Sequence, residues 1–128
     1  MDEKNKELLA RTIYIWTVKK VVKVAWDVKM GSRECPFCQE YVLNAPVGLE
    51  CVGCPIYSKT GQKKCKGTPY ESVLRAVGEW HYQSVRYPHL HCDDPSTEEV
   101  KAREAFIAAC NDELTFLMSL EEEDAKPE

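Results

Sequence analysis

Five cysteines lie between residues 33 and 70 of this 128-residue chain, and four of them form two C-x-x-C pairs. The pairs are Cys35 with Cys38 and Cys51 with Cys54, and twelve residues separate them. Two residues between thiolates allow a tight turn to direct both sulfurs at one ion about 2.3 Å away, and two such turns complete a tetrahedron. The spacing therefore predicts a metal site.

Zinc is the metal that we expect here, because tetrahedral all-thiolate sites hold either zinc or iron–sulfur centres. An iron–sulfur cluster is the alternative, and the Cys-Pro ending of "CVGCP" is typical of proteins that carry one. A zinc ion closed by four thiolates has no open coordination position, so the site would be structural. The sequence has no nucleophile motif, Gly-rich phosphate loop or H-E-x-x-H helix, and we predict no enzyme.

The fifth clustered cysteine, Cys65, complicates the ligand set. Ten residues separate it from Cys54, so it could replace one of the four paired cysteines or be a buried free thiol. Spacing does not decide which four of the five cysteines bind metal. Further along the chain, Cys92 lies beside His89 and His91, which allows a second or alternative site there.

The pair "CPFC" also allows a redox interpretation, because it is similar to the C-P-x-C of glutaredoxins, where the first cysteine has a lowered pKa. In glutaredoxins that motif follows a strand and begins a helix, and the fold needs further strands downstream. Residues 68–121 of this chain read as wholly helical. An iron–sulfur or thiol redox protein is kept as the alternative function.

Structural disulfides are not expected. The polar start "MDEKNKELLA" is not a secretory signal and predicts a cytoplasmic protein, where thiols stay reduced. The number of cysteines, seven, is also odd.

Charge is distributed unevenly along the chain. Residues 1–70 hold 12 Lys and Arg against 7 Asp and Glu, whereas residues 71–128 hold 5 against 14. The basic half contains the cysteines, and its surface is either simply solvated or binds nucleic acid or an acidic protein. For nucleic acid we expect phosphate contacts from four lysines and base stacking from Tyr57 or Tyr70. These lysines are Lys59, Lys63, Lys64 and Lys66.

Two helices are predicted in the C-terminal half. Thr68 offers an N-cap for a helix over about 69–86, and Ser96 with Glu99 forms a capping box for a helix over about 97–121. Cys110 falls on the apolar stripe of the second helix and is expected in the core. The acidic residues 122–128 are expected to be a disordered tail.

The N-terminal segment is predicted to be a helix over residues 2–30, because "DEKNKELLAR" favours helix. The alternation of apolar residues over 14–28 also fits a strand, although one of that length would be unusual. Lys19, Lys20 and Lys23 interrupt the most apolar stretch, so a membrane span is not expected.

The chain resembles small cysteine-rich proteins encoded by bacteriophages, archaeal viruses and related mobile elements. The resemblance lies in "CPFC", "CVGCPIYSKTG", "CKGTPY", the segment from Ile13 to Trp16 and the C-terminal "FLMSL". It implies a viral or mobile-element origin, a helical N-terminal segment and a metal-bound knuckle to which Cys65 also belongs. It implies no particular activity.

Together these features predict a single all-α domain over residues 1–121, with three main helices and little regular β structure. An irregular metal-binding insert over residues 33–67 joins the N-terminal helix to an antiparallel helical pair over residues 68–121. The expected function is that of a zinc-stabilised accessory protein that binds a macromolecule in the host cell, either a host or viral protein or nucleic acid. The oligomeric state is left open.

Overall fold

The computed structural model describes residues 1–62, 65–86 and 97–125, and within these ranges the chain is helical and has no β-strand. This confirms the predicted all-α class. Five α-helices run in the order α1 (Glu3–Lys19), α2 (Pro36–Cys38), α3 (Pro55–Thr60), α4 (Tyr70–Arg86) and α5 (Thr97–Ala125). A π-helical turn, Gln39–Leu43, continues directly from α2, and short 3-10 turns lie at Ala25–Asp27 and Ser32–Glu34.

Helices α4 and α5 form the antiparallel pair that the sequence predicts. The Tyr70 N–H donates to the Thr68 hydroxyl at 3.2 Å, so Thr68 caps α4 as expected. The Trp80 ring packs on the Phe106 ring, with centroids 5.3 Å apart. Nearer the end of α4, the Ser84 hydroxyl bonds to a Glu99 carboxylate oxygen at 3.0 Å. The capping residue expected before α5, Ser96, lies outside the described residues.

Helix α1 is shorter than predicted, because it ends at Lys19 and not at Met30. The β-branched run "VVKV" that follows has low helix propensity. Leaving the helix also allows Ala25 and Val28 to be buried from a 3-10 turn. Residues 14–28 are therefore neither one continuous helix nor a strand.

The C-terminal boundary also differs from the prediction. Helix α5 continues to Ala125, so the first four residues of the expected disordered tail, 122–128, are helical. Glutamate favours helix when packing does not decide, which accounts for the extension. Residues 126–128 lie outside the described ranges.

One hydrophobic cluster joins the long helices to the cysteine-rich segment. Cys110 is fully buried in it, as the apolar stripe of α5 predicts. Among its most buried members are Leu9, Phe37, Ile56, Trp80, Phe106 and Leu117. No helix within the described residues has both the length and the apolar character needed to cross a membrane.

Candidate metal centre

The first cysteine pair lies on a single helical turn. Cys35 has an extended backbone and precedes Pro36, whose fixed φ suits the first position of α2. Cys38 ends that turn. Between them, Phe37 is fully buried and anchors the turn in the core. The backbone N–H groups of Phe37 and Cys38 hydrogen-bond to the Cys35 sulfur, and these two bonds by themselves favour its thiolate form.

The second pair repeats part of this construction. Cys54 precedes Pro55, which begins α3, and the backbone N–H groups of Ile56 and Tyr57 act on the Cys54 sulfur. Ile56 is buried in the core as Phe37 is. At both Cys-Pro steps a sulfur therefore lies at the start of a short helix that a buried apolar side chain holds in place.

Helix α1 fixes the turn between Cys51 and Cys54. The Asn5 amide donates to the Gly53 carbonyl at 3.3 Å and its oxygen accepts from the Tyr41 hydroxyl. Gly53 has a φ of +93°, and a Cβ there would lie 3.1 Å from the Tyr41 ring, so a larger residue would be strained. The Cys51 N–H donates to the Tyr41 carbonyl at 2.6 Å.

Two of the cysteines have an unusual backbone conformation. Cys51 and Cys65, with φ of 68° and 61°, are the non-glycine residues with positive φ in the part of the chain that the structure describes. The left-handed region costs an ordinary residue roughly 1–2 kcal/mol, and such strain is concentrated at functional sites. Spacing in the sequence gives no sign of either conformation.

The clustered cysteines surround two cavities. Cys38, Cys51, Cys54 and Cys65 line a small one of about 10 Å³. A larger one, of about 170 Å³, is lined by Cys35 and again by Cys38 and Cys65. The fold therefore brings together all five cysteines that the sequence singles out.

The cysteines among the described residues are free thiols. Cys38 forms hydrogen bonds with both Cys35 and Cys65. A hydrogen bond with Cys38, together with burial, raises the pKa of Cys35. Its bond with Cys35 lowers the pKa of Cys38, but a bond with Cys65 and burial outweigh this and raise it to about 12. Burial also raises the pKa of Cys54. A reactive thiol has the opposite shift, so this arrangement gives no support to thiol redox catalysis.

The side chains are gathered without being arranged as a ligand set. No group of three or more His, Cys, Asp or Glu residues within 1–62, 65–86 and 97–125 is placed so that it could hold a metal ion. The alternative site at His89, His91 and Cys92 lies outside these ranges, as do Lys63 and Lys64.

The other residues expected to contact nucleic acid have mixed surroundings. The Lys59 ammonium bonds to the Ser119 hydroxyl at 3.1 Å and lies over the Phe116 ring, so it packs on α5. The Tyr70 ring packs edge-on against Trp16, and its hydroxyl accepts from the Gly31 N–H. Lys66 is exposed.

Two charged residues near the cysteines were not anticipated from the sequence. Lys19 and Glu113 are only 8% and 2% exposed, and both line the larger cavity. Glu113 lies three residues after Cys110 and four before Leu117, on the buried stripe of α5. A charged residue in the middle of an apolar stripe is the signal that could have found it.

Comparison with known proteins adds nothing to this description, since no protein-family model, curated protein or solved structure matches the chain.

Proposed function

We propose that this protein is a small binding module in which zinc, held by clustered cysteines, fixes a docking loop. The observation that carries the proposal is the cavity of about 10 Å³ that four cysteines line together. A space of that size admits about one water-sized occupant. Four thiolates are a complete ligand set for structural zinc. Thiolate–zinc bonds would also offset the backbone strain at Cys51 and Cys65.

The four ligands in this proposal are Cys38, Cys51, Cys54 and Cys65, because they share the small cavity. Cys35 lines only the larger cavity and bonds to Cys38. In this arrangement Cys35 supports the site through Cys38 and does not bind the metal. Cys65 is then a ligand, in agreement with the resemblance to cysteine-rich viral and mobile-element proteins. We propose a viral or mobile-element origin for this chain as well.

The docking loop is residues 43–52, which run from the last residue of the π-helical turn into the second cysteine pair. Its only charged residue is Glu50, and four of its apolar side chains are more than half exposed. These are Leu43, Val47, Leu49 and Val52. Clustered exposed apolar side chains mark protein interaction sites. Zinc bound at Cys38, Cys51 and Cys54 would hold both ends of the loop, so its partner is a host or viral protein with a complementary apolar surface.

Serine substitution of single cysteines tests the ligand set. Zinc per chain is measured by mass spectrometry on anaerobically purified protein, together with the visible absorption spectrum. We expect one zinc per wild-type chain, and we expect it to be lost in Cys54→Ser and Cys65→Ser but retained in Cys35→Ser. The buried Cys110→Ser is the matched control. Iron with broad visible absorption would support the iron–sulfur alternative instead, and loss of zinc in Cys35→Ser would refute the assigned ligands.

Substitution in the loop tests the docking function. Wild type is expected to capture a host-cell protein by crosslinking, and the Val47→Ser, Leu49→Ser double variant is expected to lose it. The control variant Val85→Ser, an exposed change on α4, should still capture it. Equal capture by both variants would remove the loop from the proposal. The nucleic-acid function would be favoured by salt-dependent binding to single-stranded DNA or RNA. In that case Lys66→Ala should weaken the binding and the loop variant should not.

A further inference from the structure

The larger cavity is lined by two buried charged side chains, Lys19 and Glu113, whose hydrogen-bonding capacity is only partly used. It has a volume of about 170 Å³ and lies between α1, α5 and the cysteine-rich segment. Trp16 and Lys19 of α1, Glu113 and Leu117 of α5, and Tyr70 line it. A cavity of roughly 150 Å³ can hold a molecule the size of benzene, so this one has room for a small organic ligand.

Glu113 is the clearest sign that the cavity has an occupant. Its side chain is almost wholly buried. The Tyr70 backbone N–H bonds to the carboxylate, but the Oε2 atom has no hydrogen-bond partner in the structure. A buried carboxylate oxygen without a donor is strongly unfavourable, because its hydration is lost and not replaced. Such an orphaned group is normally explained by a water, an ion or a ligand.

Lys19 likewise lacks strong hydrogen-bond acceptors around its ammonium group. Its ammonium lies 3.8 Å from the Met30 sulfur and 4.5 Å from the centroid of the Trp16 ring. A thioether and an aromatic face are weak acceptors for an ammonium that can donate three hydrogen bonds. Lys19 is attracted electrostatically to Glu34 and Glu113, yet Oε2 of Glu113 receives no hydrogen bond from the lysine.

We propose that this cavity binds a small zwitterion, whose ammonium group pairs with Glu113 and whose carboxylate pairs with Lys19. The apolar part of the ligand lies against Trp16 and Leu117. The volume limits it to roughly six to eight non-hydrogen atoms, the size of a small amino acid. This inference is independent of the docking loop and does not require metal at the cysteines.

The test is calorimetric titration of the purified 128-residue chain with L-alanine, L-valine and 4-aminobutyrate. Butylamine and butyrate, which carry one charge each, are the matched control ligands. Saturable binding of at least one zwitterion is expected, about tenfold or more tighter than either control ligand, since a hydrogen bond to a charged group accounts for at least that factor. Metal content is measured on the same samples, so that failure here is distinguished from failure of the zinc proposal.

The variants then assign the binding to the cavity. Glu113→Gln keeps the side-chain shape and is expected to weaken zwitterion binding about tenfold, whereas Glu104→Gln, exposed on the same helix, leaves it unchanged. Absence of saturable zwitterion binding by wild type up to about 10 mM, where ligands of this size are expected to bind, overturns the proposal. Equal affinity for butylamine and 4-aminobutyrate also overturns it, and this result needs no variant to fold.

Discussion

The helical pair and the cysteine-rich segment are stabilised in different ways. Helices α4 and α5 bury large apolar side chains against each other, and Thr68 caps the start of α4, so local signals and packing account for the pair. Residues 33–67, where described, contain two very short α-helices, two non-glycine residues with positive φ and several exposed apolar side chains. In the proposal made above, the additional constraint on this segment is zinc bound by the gathered thiols.

Phe106→Ala is expected to give the largest effect, because it removes a fully buried ring from the helical pair. The ring packs on Trp80, and such truncations cost about 3–5 kcal/mol of unfolding free energy. Urea denaturation followed by circular dichroism measures the loss. The cost should be the same with and without added zinc if the two regions are stabilised independently, and a strong zinc dependence would contradict that separation.

Glu113 lies where the two regions meet, and it should make stability depend on pH. Burial raises the pKa of its carboxyl from about 4.5 to about 7 in the folded chain. The folded state therefore holds the proton more tightly than the unfolded chain does. The stability contributed by Glu113 is fully present below pH 4.5 and is lost as the pH rises through 7, by about 3 kcal/mol in all.

The Glu113→Gln variant isolates this dependence from that of other carboxylates. Glutamine resembles the protonated acid, so wild type and variant should be about equally stable near pH 4, and the variant should be the more stable near pH 8. Unfolding free energies of both proteins across this range give the difference. A difference that does not change with pH would mean that burial does not raise the pKa of Glu113 in the ligand-free protein.

Gly53→Ala is the smallest of the three effects and is confined to the cysteine-rich segment. The positive φ and the close Tyr41 ring should together cost about 1–2 kcal/mol. Zinc affinity should fall with it, because the turn that presents Cys51 and Cys54 is disturbed. Gly48→Ala is a useful control, since it shares the positive φ but has open space at its Cβ. Equal zinc affinity in the two variants would show that contact with Tyr41 is unimportant.

Prediction from the sequence succeeds where local signals and packing agree. The capping residue Thr68 and the apolar stripes of α4 and α5 predict the helical pair and the burial of Cys110. The prediction fails for the end of α1, since the alternating apolar residues after Lys19 fit several structures, and only tertiary burial of Ala25 and Val28 decides among them.

The grouping of the clustered cysteines is predictable from the sequence, but their geometry is not. The two C-x-x-C pairs identify the cysteines that the fold gathers, yet the positive φ of Cys51 and Cys65 has no signature in their spacing. Which cavity each thiol lines also depends on how α1 and the turns pack. Lys19 and Glu113 were missed because charged residues are usually assigned to the surface.

Hydrogen exchange of the backbone amides, measured by mass spectrometry on zinc-loaded and chelator-treated protein, tests most directly whether metal organises the cysteine-rich segment. Chelation is expected to remove protection from residues 33–62 while α4 and α5 keep most of theirs, because their core does not depend on the thiols. Identical exchange in the two samples would contradict the proposed metal centre. Loss of protection throughout the chain would contradict the independence of the helical pair.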